Sequence, residues 1–202
     1  AVKVGKSEKI GAGKNGTKLA RGANFLCIMS GSPIAPDYIY AEANAGRMGA
    51  RLMAIVAEGD RGRIYLAPTQ EHESVAGKEK PGWKPEASMP KNPRWFSPPL
   101  YGLKSYGDLF TPRQLVALTT FSDLVGEAME RIHADSIAAG LPDGTQPIRD
   151  GGNGAKAYAE AVAVYLGLGV DKITDYNTTL VVWSPTRDQA KSTFARQALP
   201  MV

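Results

Sequence analysis

The chain has 202 residues, a net charge of +4, and 43% hydrophobic against 22% charged residues. This is enough apolar material to offset the entropy of ordering a chain, so the composition excludes an intrinsically disordered protein. No apolar run reaches the roughly 20 residues of a membrane span, no signal-peptide pattern is visible, and a single cysteine excludes an internal disulfide; together these predict a cytoplasmic protein without membrane partners.

Positive charge is concentrated in two irregular stretches. Residues 1–24 hold six Lys or Arg against one acidic residue, and their five glycines predict a flexible basic arm. Residues 78–104 hold six Lys or Arg against two acidic residues, with six prolines among them. Because proline donates no amide hydrogen bond and restricts the residue before it, an extended Pro- and aromatic-rich linker without helix or central strand is predicted over 81–104.

Between the two basic stretches, residues 25–80 predict a small α/β unit. Residues 24–30 have the composition of a short strand. Prolines at both ends of 33–36 predict a turn, and a short helix is expected to follow over 37–45.

The next segment predicts a β-hairpin. Residues 51–58 have no polar face, which fits either a strand covered on both sides or a buried helical turn, and we favour the strand. The turn signal at 59–62 and the β-rich residues 63–66 then complete the hairpin. A weak helix is predicted over 69–80.

Residues 105–202 predict a helical unit. Thr111 followed by Pro112 and Gln114 combines an N-cap, a first-turn proline and a capping-box partner, so a helix begins there and ends at Gly140. A second helix is expected after the glycine-rich residues 151–154 and is predicted to pack against the first. Its apolar stripe consists of Tyr158, Ala161, Val162, Tyr165, Leu166, Gly169 and Ile173.

A strand over 179–183 and a final helix from 185 or 186 to Arg196 complete the predicted elements. The whole pattern indicates an α+β fold. A small N-terminal unit containing an antiparallel hairpin is followed by a mainly helical C-terminal unit.

Few residues could serve as a catalytic nucleophile, as its base or as a metal ligand. His72 lies between two glutamates and His133 near an arginine and an aspartate, without a supporting motif, so both are interpreted as exposed or structural. Cys27 lies in an apolar segment and is interpreted as a small hydrophobic residue. No catalytic residue and no metal ligand is predicted.

Two loops resemble ligand-binding motifs without meeting their requirements. The glycine-rich residues 150–154 precede a helix, as phosphate loops do, but 147–149 is too short and polar for the preceding strand. Ser97-Pro98-Pro99-Leu100 is similar to the catalytic motif of amino-methyltransferases. In that motif an aromatic residue stacks on the flipped base, and Leu100 stands in its place, so we predict no catalysis here.

Basic residues interleaved with aromatic residues indicate contact with nucleic acid. Cations neutralise phosphates, and aromatic rings stack on bases. A solvated surface explains the same residues, and no docking motif is recognisable. The candidates for DNA binding are Arg47, Arg51, Arg61, Arg63, Lys84, Arg94, Trp83 and Trp95.

Four strings of the sequence resemble one protein family. They are residues 36–39 (PDYI), 45–54 (AGRMGARLMA), 101–115 with its FTPRQL run, and 194–202 (FARQALPMV). They resemble the large adenine-specific DNA methylases that begin with a domain of unknown function and include zinc-ribbon-containing relatives. The resemblance extends from about Phe25 to Val202.

The resemblance implies an internal segment of a longer S-adenosylmethionine-dependent DNA methyltransferase. The cofactor loop of that parent lies upstream and its Asp-Pro-Pro-Tyr motif downstream, so the segment itself holds neither cofactor nor catalytic residues. Where relatives carry a paired-cysteine knuckle, only Cys27 is kept, and no zinc site is predicted. Some methyltransferases keep target recognition between these two motifs, which makes DNA and the remainder of the parent chain the expected partners.

Two other functions stay open from sequence. The first is a structural or protein-interaction scaffold of the parent protein with no DNA affinity of its own. The second is an independent small enzyme with a pocket around His72, His133 or Asp150.

Overall fold

The structure, a computed structural model, describes residues 16–20, 24–91, 96–184 and 186–193. These residues form an α+β fold, as predicted, in which three antiparallel two-stranded ladders accompany the helices. Most of the predicted basic arm, together with Arg94, Trp95 and residues 194–202, lies outside the described residues. None of the helices that the structure describes is long and apolar enough to span a membrane.

The first ladder joins β1 (Phe25–Leu26) to β2 (Pro33–Ile34). The strand predicted over 24–30 is shorter than expected because residues 28–30 form a turn, in which the Gly31 amide donates to the Cys27 carbonyl at 2.8 Å. The proline at position 33, predicted to lie in a turn, is the first residue of β2.

Helix α1 (Pro36–Asn44) follows, with its proline at the first helical position. It packs against a 3₁₀ turn, Pro98–Tyr101. The rings of Tyr40 and Tyr101 meet edge to face at 5.1 Å, and the Asn44 side-chain amide donates to the Leu100 carbonyl at 2.9 Å. Phe25, Ala43 and Tyr101 are the buried residues of this first core cluster.

Strands β3 (Ile55–Gly59) and β4 (Gly62–Leu66) form the predicted hairpin, with Gly59 opposite Gly62. The prediction that β3 is covered on both sides is wrong, since Val56 is 39% exposed and Met53, just before the strand, is 70% exposed. A run of apolar residues predicts a strand but does not show whether other elements cover its two faces. In a two-stranded ribbon, no further strand or packed layer covers them. Helix α2 (Gln70–Lys78) then begins after an N-cap at Thr69.

Two long helices dominate the C-terminal part. Helix α3 (Pro112–Ala138) begins at the predicted capping box, where the Thr111 amide donates to Gln114 Oε1 at 2.9 Å. It stops just before Gly140, which has a φ of +94°. Helix α4 (Ala155–Thr174) packs along α3.

Hydrogen bonds at the two ends of this helical pair show that α3 and α4 run antiparallel. The Ala155 amide donates to Pro142 O at 2.9 Å, just beyond the end of α3. The Thr179 amide, just beyond the end of α4, donates to Leu109 O at 2.7 Å, just before the start of α3.

The apolar stripe predicted for α4 is not the surface that the structure buries. Its buried residues are Ala155, Ala157 and Ala159, whereas Tyr158 is 52% and Tyr165 76% exposed. Because alanine side chains are small, neighbouring backbone can approach α4 closely on their side of the helix. The larger side chains of α4 are exposed to solvent instead. Packing of α4 against α3 is confirmed. Of the predicted stripe, Tyr158, Tyr165, Leu166 and Ile173 are exposed, whereas Ala161 and Val162 are half-buried.

The segment after α4 is extended. Strand β5 (Trp183–Ser184) pairs with β6 (Gln189–Ala190), and Asp188 in the turn between them has a φ of +51°. The final helix predicted from residue 185 or 186 is therefore wrong within 186–193. The Thr193 amide donates to the Asp175 carbonyl at 2.8 Å, so a tertiary hydrogen bond overrides the local capping pattern.

A second core cluster includes Leu180, which follows α4. Its buried residues are Met89, Leu109 and Leu180, with Leu180 1% exposed. Met89 comes from the proline-rich stretch, whose described residues form no α-helix but are held by a bridge between Ser88 and Ser105.

Candidate nucleic-acid interface

Arg47 follows α1 and is held by a carboxylate of that helix. Its Nε lies 2.5 Å from Glu42 Oε2 and its Nη2 2.7 Å from Glu42 Oε1, a bidentate pair. The hydrogen bond from Arg47 lowers the pKa of the Glu42 carboxyl. The guanidinium is therefore engaged within the protein.

Arg51 and Arg63 also face carboxylates. Arg51 Nε lies 3.6 Å from Oε1 of Glu73 on α2, and Arg63 Nη1 lies 3.5 Å from Asp188 Oδ2. The Arg63 guanidinium also lies 5.9 Å from the centroid of the Trp183 ring. Arg63 thus connects β4 to the β5–β6 turn.

Lys84 pairs with Asp108 at 3.0 Å. Asp108 also accepts hydrogen bonds from the amides of Ser105 at 2.8 Å and Lys104 at 3.0 Å. Burial of the Asp108 carboxyl opposes ionisation, but the hydrogen bonds from Ser105, Lys84 and Lys104 together lower its pKa to about 2. Lys84 is therefore part of a local structural network.

Replacing Asp108 is expected to make stability less dependent on acid pH. The folded-state pKa of about 2 is below the ordinary value of 3.8, so the ionised carboxylate stabilises the fold above pH 3.8. This contribution, about 2 kcal/mol, is lost as the pH falls toward 2. In urea titrations at several pH values, Asp108→Asn should be less stable than the parent at pH 7 and equal to it near pH 2. An equal loss at both pH values would contradict the assignment.

Arg61 differs from the other candidates. It lies in the turn of the β3–β4 hairpin, is exposed, and has no ion-pair partner among the residues that the structure describes. Trp83, next to Lys84, is 55% exposed.

The structure thus places four of the predicted cations, Arg47, Arg51, Arg63 and Lys84, in separate local networks. They are paired with the carboxylates of Glu42, Glu73, Asp108 and Asp188. An exposed ion pair has little net energy but reduces the positive potential offered to phosphates. The sequence analysis did not pair these cations with carboxylates. Three of the four carboxylates, Glu73, Asp108 and Asp188, lie more than 20 positions from their partners, so no local pattern indicates the pairs.

The histidines have structural partners. The Thr69 amide donates to Nδ1 of His72 at 3.1 Å, so His72 completes the N-terminal cap of α2. Nε2 of His133 lies 3.5 Å from Asp143 Oδ1.

Cys27 lies in the turn after β1. Hydrogen bonds from the Ser30 hydroxyl, the Ser30 amide and the Met29 amide lower the pKa of its thiol, with the hydroxyl contributing most. No group of three His, Cys, Asp or Glu side chains within the described ranges is arranged to hold a metal ion.

The two loops that resemble ligand-binding motifs are packed against the protein itself. A Cβ on Gly152 would lie 2.0 Å from the Gln146 carbonyl oxygen, and one on Gly154 would lie 2.7 Å from the Pro142 carbonyl oxygen. These glycines therefore allow close backbone packing and do not fit a phosphate or cofactor cradle. In the proline-rich turn, Pro98 and Tyr101 are buried and are not presented to a base.

Comparisons with known proteins found no match: no family model, no curated protein and no solved structure resembles the chain significantly.

Proposed function

We propose that the chain is a non-catalytic segment of an S-adenosylmethionine-dependent adenine-specific DNA methyltransferase, and that it contacts DNA through the β3–β4 hairpin. The methylase assignment is supported by the four sequence strings, and the cytoplasmic location by the cysteine content. The DNA contact is supported by one observation above the others: Arg61 lies exposed in the turn of an uncovered hairpin, without a carboxylate partner in the described chain.

The dimensions of the hairpin suit a DNA groove. Strands of five residues extend about 17 Å, and the major groove, about 12 Å wide, admits a two-stranded ribbon. Side chains on both faces of the ribbon are exposed or half-buried, so it is free to enter a groove. The edge-to-face contact of Tyr65 with Trp183, at 6.1 Å, fixes the base of the ribbon.

Removal of the Arg61 charge is expected to weaken binding to duplex DNA several-fold. Each lost phosphate contact reduces the slope of log K against log salt by about 1. We would measure the binding of a fluorescent duplex by anisotropy across a salt series, for the parent and Arg61→Gln.

The matched control is Arg113→Gln. Arg113 is also exposed, belongs to the start of α3 and not to the β3–β4 hairpin, and its replacement changes net charge by the same amount. Equal weakening by both substitutions would show that overall charge, and not the hairpin, attracts DNA. Absence of parent binding at low salt would refute the DNA contact.

A scaffold role is the second candidate, and one observation favours it. Much of α4 is apolar yet exposed, including Val164 at 59% and Leu168 at 57%. Exposed apolar helices are typical of protein-interaction surfaces and are unsuited to phosphate contact. In this case the chain would bind protein and show no DNA affinity.

A further inference from the structure

One face of the β3–β4 ribbon carries only apolar side chains, apart from the glycines next to its turn. In an antiparallel ladder, residues directly opposite each other point to the same side, and successive residues alternate between the two sides. The register pairs Ile55 with Leu66 and Ala57 with Ile64. We call these four residues the apolar ribbon face. Ile64 is 45% and Leu66 40% exposed, so the face is open to a ligand.

The charged residues of the two strands lie on the opposite face. Glu58 is directly opposite Arg63, and Val56 is opposite Tyr65. This second face makes side-chain contacts with the rest of the protein, since the Tyr65 ring meets Trp183 and the Arg63 guanidinium lies beside the same ring. The apolar ribbon face therefore points away from these contacts, and it presents no carboxylate that would repel a phosphate.

The apolar ribbon face is too small for a protein partner but matches a DNA groove. Strands of five residues extend about 17 Å, and two strands about 4.8 Å apart cover roughly 10 Å, so the face measures roughly 170 Å². A stable protein interface takes about 800 Å² from each partner. The width of the face fits the major groove, which is about 12 Å wide. The dimensions thus favour DNA over a second copy of the chain.

The major groove contains one apolar group that such a face can contact. The C5-methyl group of thymine projects into it, and apolar side chains are its usual partners. The pairs Ile55–Leu66 and Ala57–Ile64 are two residues apart along the ribbon, about 7 Å, which equals the rise of two base pairs. In a ribbon that lies along the groove, each apolar pair can therefore cover one methyl group.

The turn of the hairpin provides polar groups for the same groove. Asp60 and Arg61 are both exposed there and carry one charge of each sign. In the major groove a guanidinium donates to guanine, and a carboxylate accepts a hydrogen bond from cytosine N4. Base edges offer partners for both charges, whereas an apolar peptide or a lipid tail offers none.

We propose that the apolar ribbon face contacts the C5-methyl groups of thymine in the major groove, and that Ile64 and Leu66 thereby give the chain a preference for DNA rich in A–T pairs. The inference rests on the proposed DNA contact of the hairpin and adds the base chemistry that the hairpin selects.

The test compares duplexes that differ only in methyl groups. Anisotropy titrations of the 202-residue chain would use an alternating A–T duplex and the same duplex with uracil in place of every thymine. Covering one methyl group contributes about fourfold in affinity, so two apolar pairs predict about a 15-fold preference for the thymine duplex. A G–C duplex should likewise gain affinity when its cytosines carry a C5-methyl group, which occupies the same position in the groove.

Ile64→Ala should reduce the preference for thymine over uracil to about fourfold, because the contact of one apolar pair is lost. Val56→Ala is the matched control, since Val56 is 39% exposed but lies on the opposite face of the ribbon. It should keep the full preference. Far-UV circular dichroism verifies that both variants remain folded.

The possible failures of this inference and of the DNA contact are distinguishable. Equal binding of the thymine and uracil duplexes by the parent would overturn the methyl contact and leave the DNA contact of Arg61 standing. Absence of binding to every duplex would refute both. A preference lost equally in Ile64→Ala and Val56→Ala would overturn the assignment to this face. So would a dimer, seen by sedimentation velocity without DNA, that Ile64→Ala dissociates, since a second copy would then be the occupant.

Discussion

Leu180→Ala is expected to lower the free energy of unfolding by about 3 kcal/mol. Leu180 is 1% exposed and packs with Met89 and Leu109, which come from distant parts of the chain. Truncation removes buried methyl groups and leaves a cavity that these neighbours can fill only in part, because the Leu180 backbone amide is fixed by Thr178 Oγ1 at 3.2 Å. Urea titration followed by circular dichroism measures the loss.

Leu19→Ala is the control, because Leu19 is 52% exposed and the chemical change is the same. Its effect should stay within about 0.5 kcal/mol. If the two variants were equally stable, Leu180 would not be the centre of a cooperative core, and the C-terminal segment would have to unfold separately.

Gly102→Ala is the second substitution with a large expected effect. Gly102 ends the 3₁₀ turn at a φ of +79°, and a Cβ there would lie 2.5 Å from the Ala43 carbonyl oxygen of α1. The left-handed conformation costs an L-residue about 1 kcal/mol, and overpacking against backbone adds about 2 kcal/mol. We expect a loss of about 3 kcal/mol in the same urea titration.

Gly46→Ala separates the two causes. Gly46 has a φ of +72° but nothing within 4 Å of a Cβ, so only the conformational cost of about 1 kcal/mol applies. The difference between the losses in free energy of unfolding of Gly102→Ala and Gly46→Ala measures the cost of the contact between a Cβ at position 102 and α1. Equal losses would mean that α1 moves away without cost.

Local signals in the sequence were sufficient for the elements whose ends are determined by neighbouring residues. The capping box at Thr111, the stop at Gly140 and the turn between Gly59 and Gly62 all act within a few residues, and the structure has each of them where predicted. The α+β class followed from the order of these elements.

Elements determined by distant contacts could not be predicted in this way. The capping pattern at 185–186 favoured a helix, but hydrogen bonds from Thr193 to Asp175 hold the chain extended. The prediction of which α4 side chains are buried failed in part for a related reason. Periodicity identifies an apolar face but does not reveal which neighbour, if any, covers it.

The candidate DNA site shows the same limit. Residue types selected these cations as candidates for DNA binding, and Arg61 was among them. The pairing of Arg63 with Asp188, 125 positions later in the chain, and of Lys84 with Asp108 depends on the tertiary fold. Only the folded chain therefore shows which of the predicted cations have nearby carboxylates.

The hydrogen bonds between Asp175 and Thr193 have a consequence for the architecture of the chain. Because Thr193 donates to the backbone of Asp175 through both its amide and its hydroxyl, the chain leaves this segment beside the point where it entered. Whatever follows residue 193 thus starts from the C-terminal end of α4, regardless of the length of the turn at 186–188. Extra residues at that turn would cost loop entropy, which grows slowly with length, and the exposed Arg63–Asp188 ion pair, so it is a suitable position for inserting a tag or a small domain.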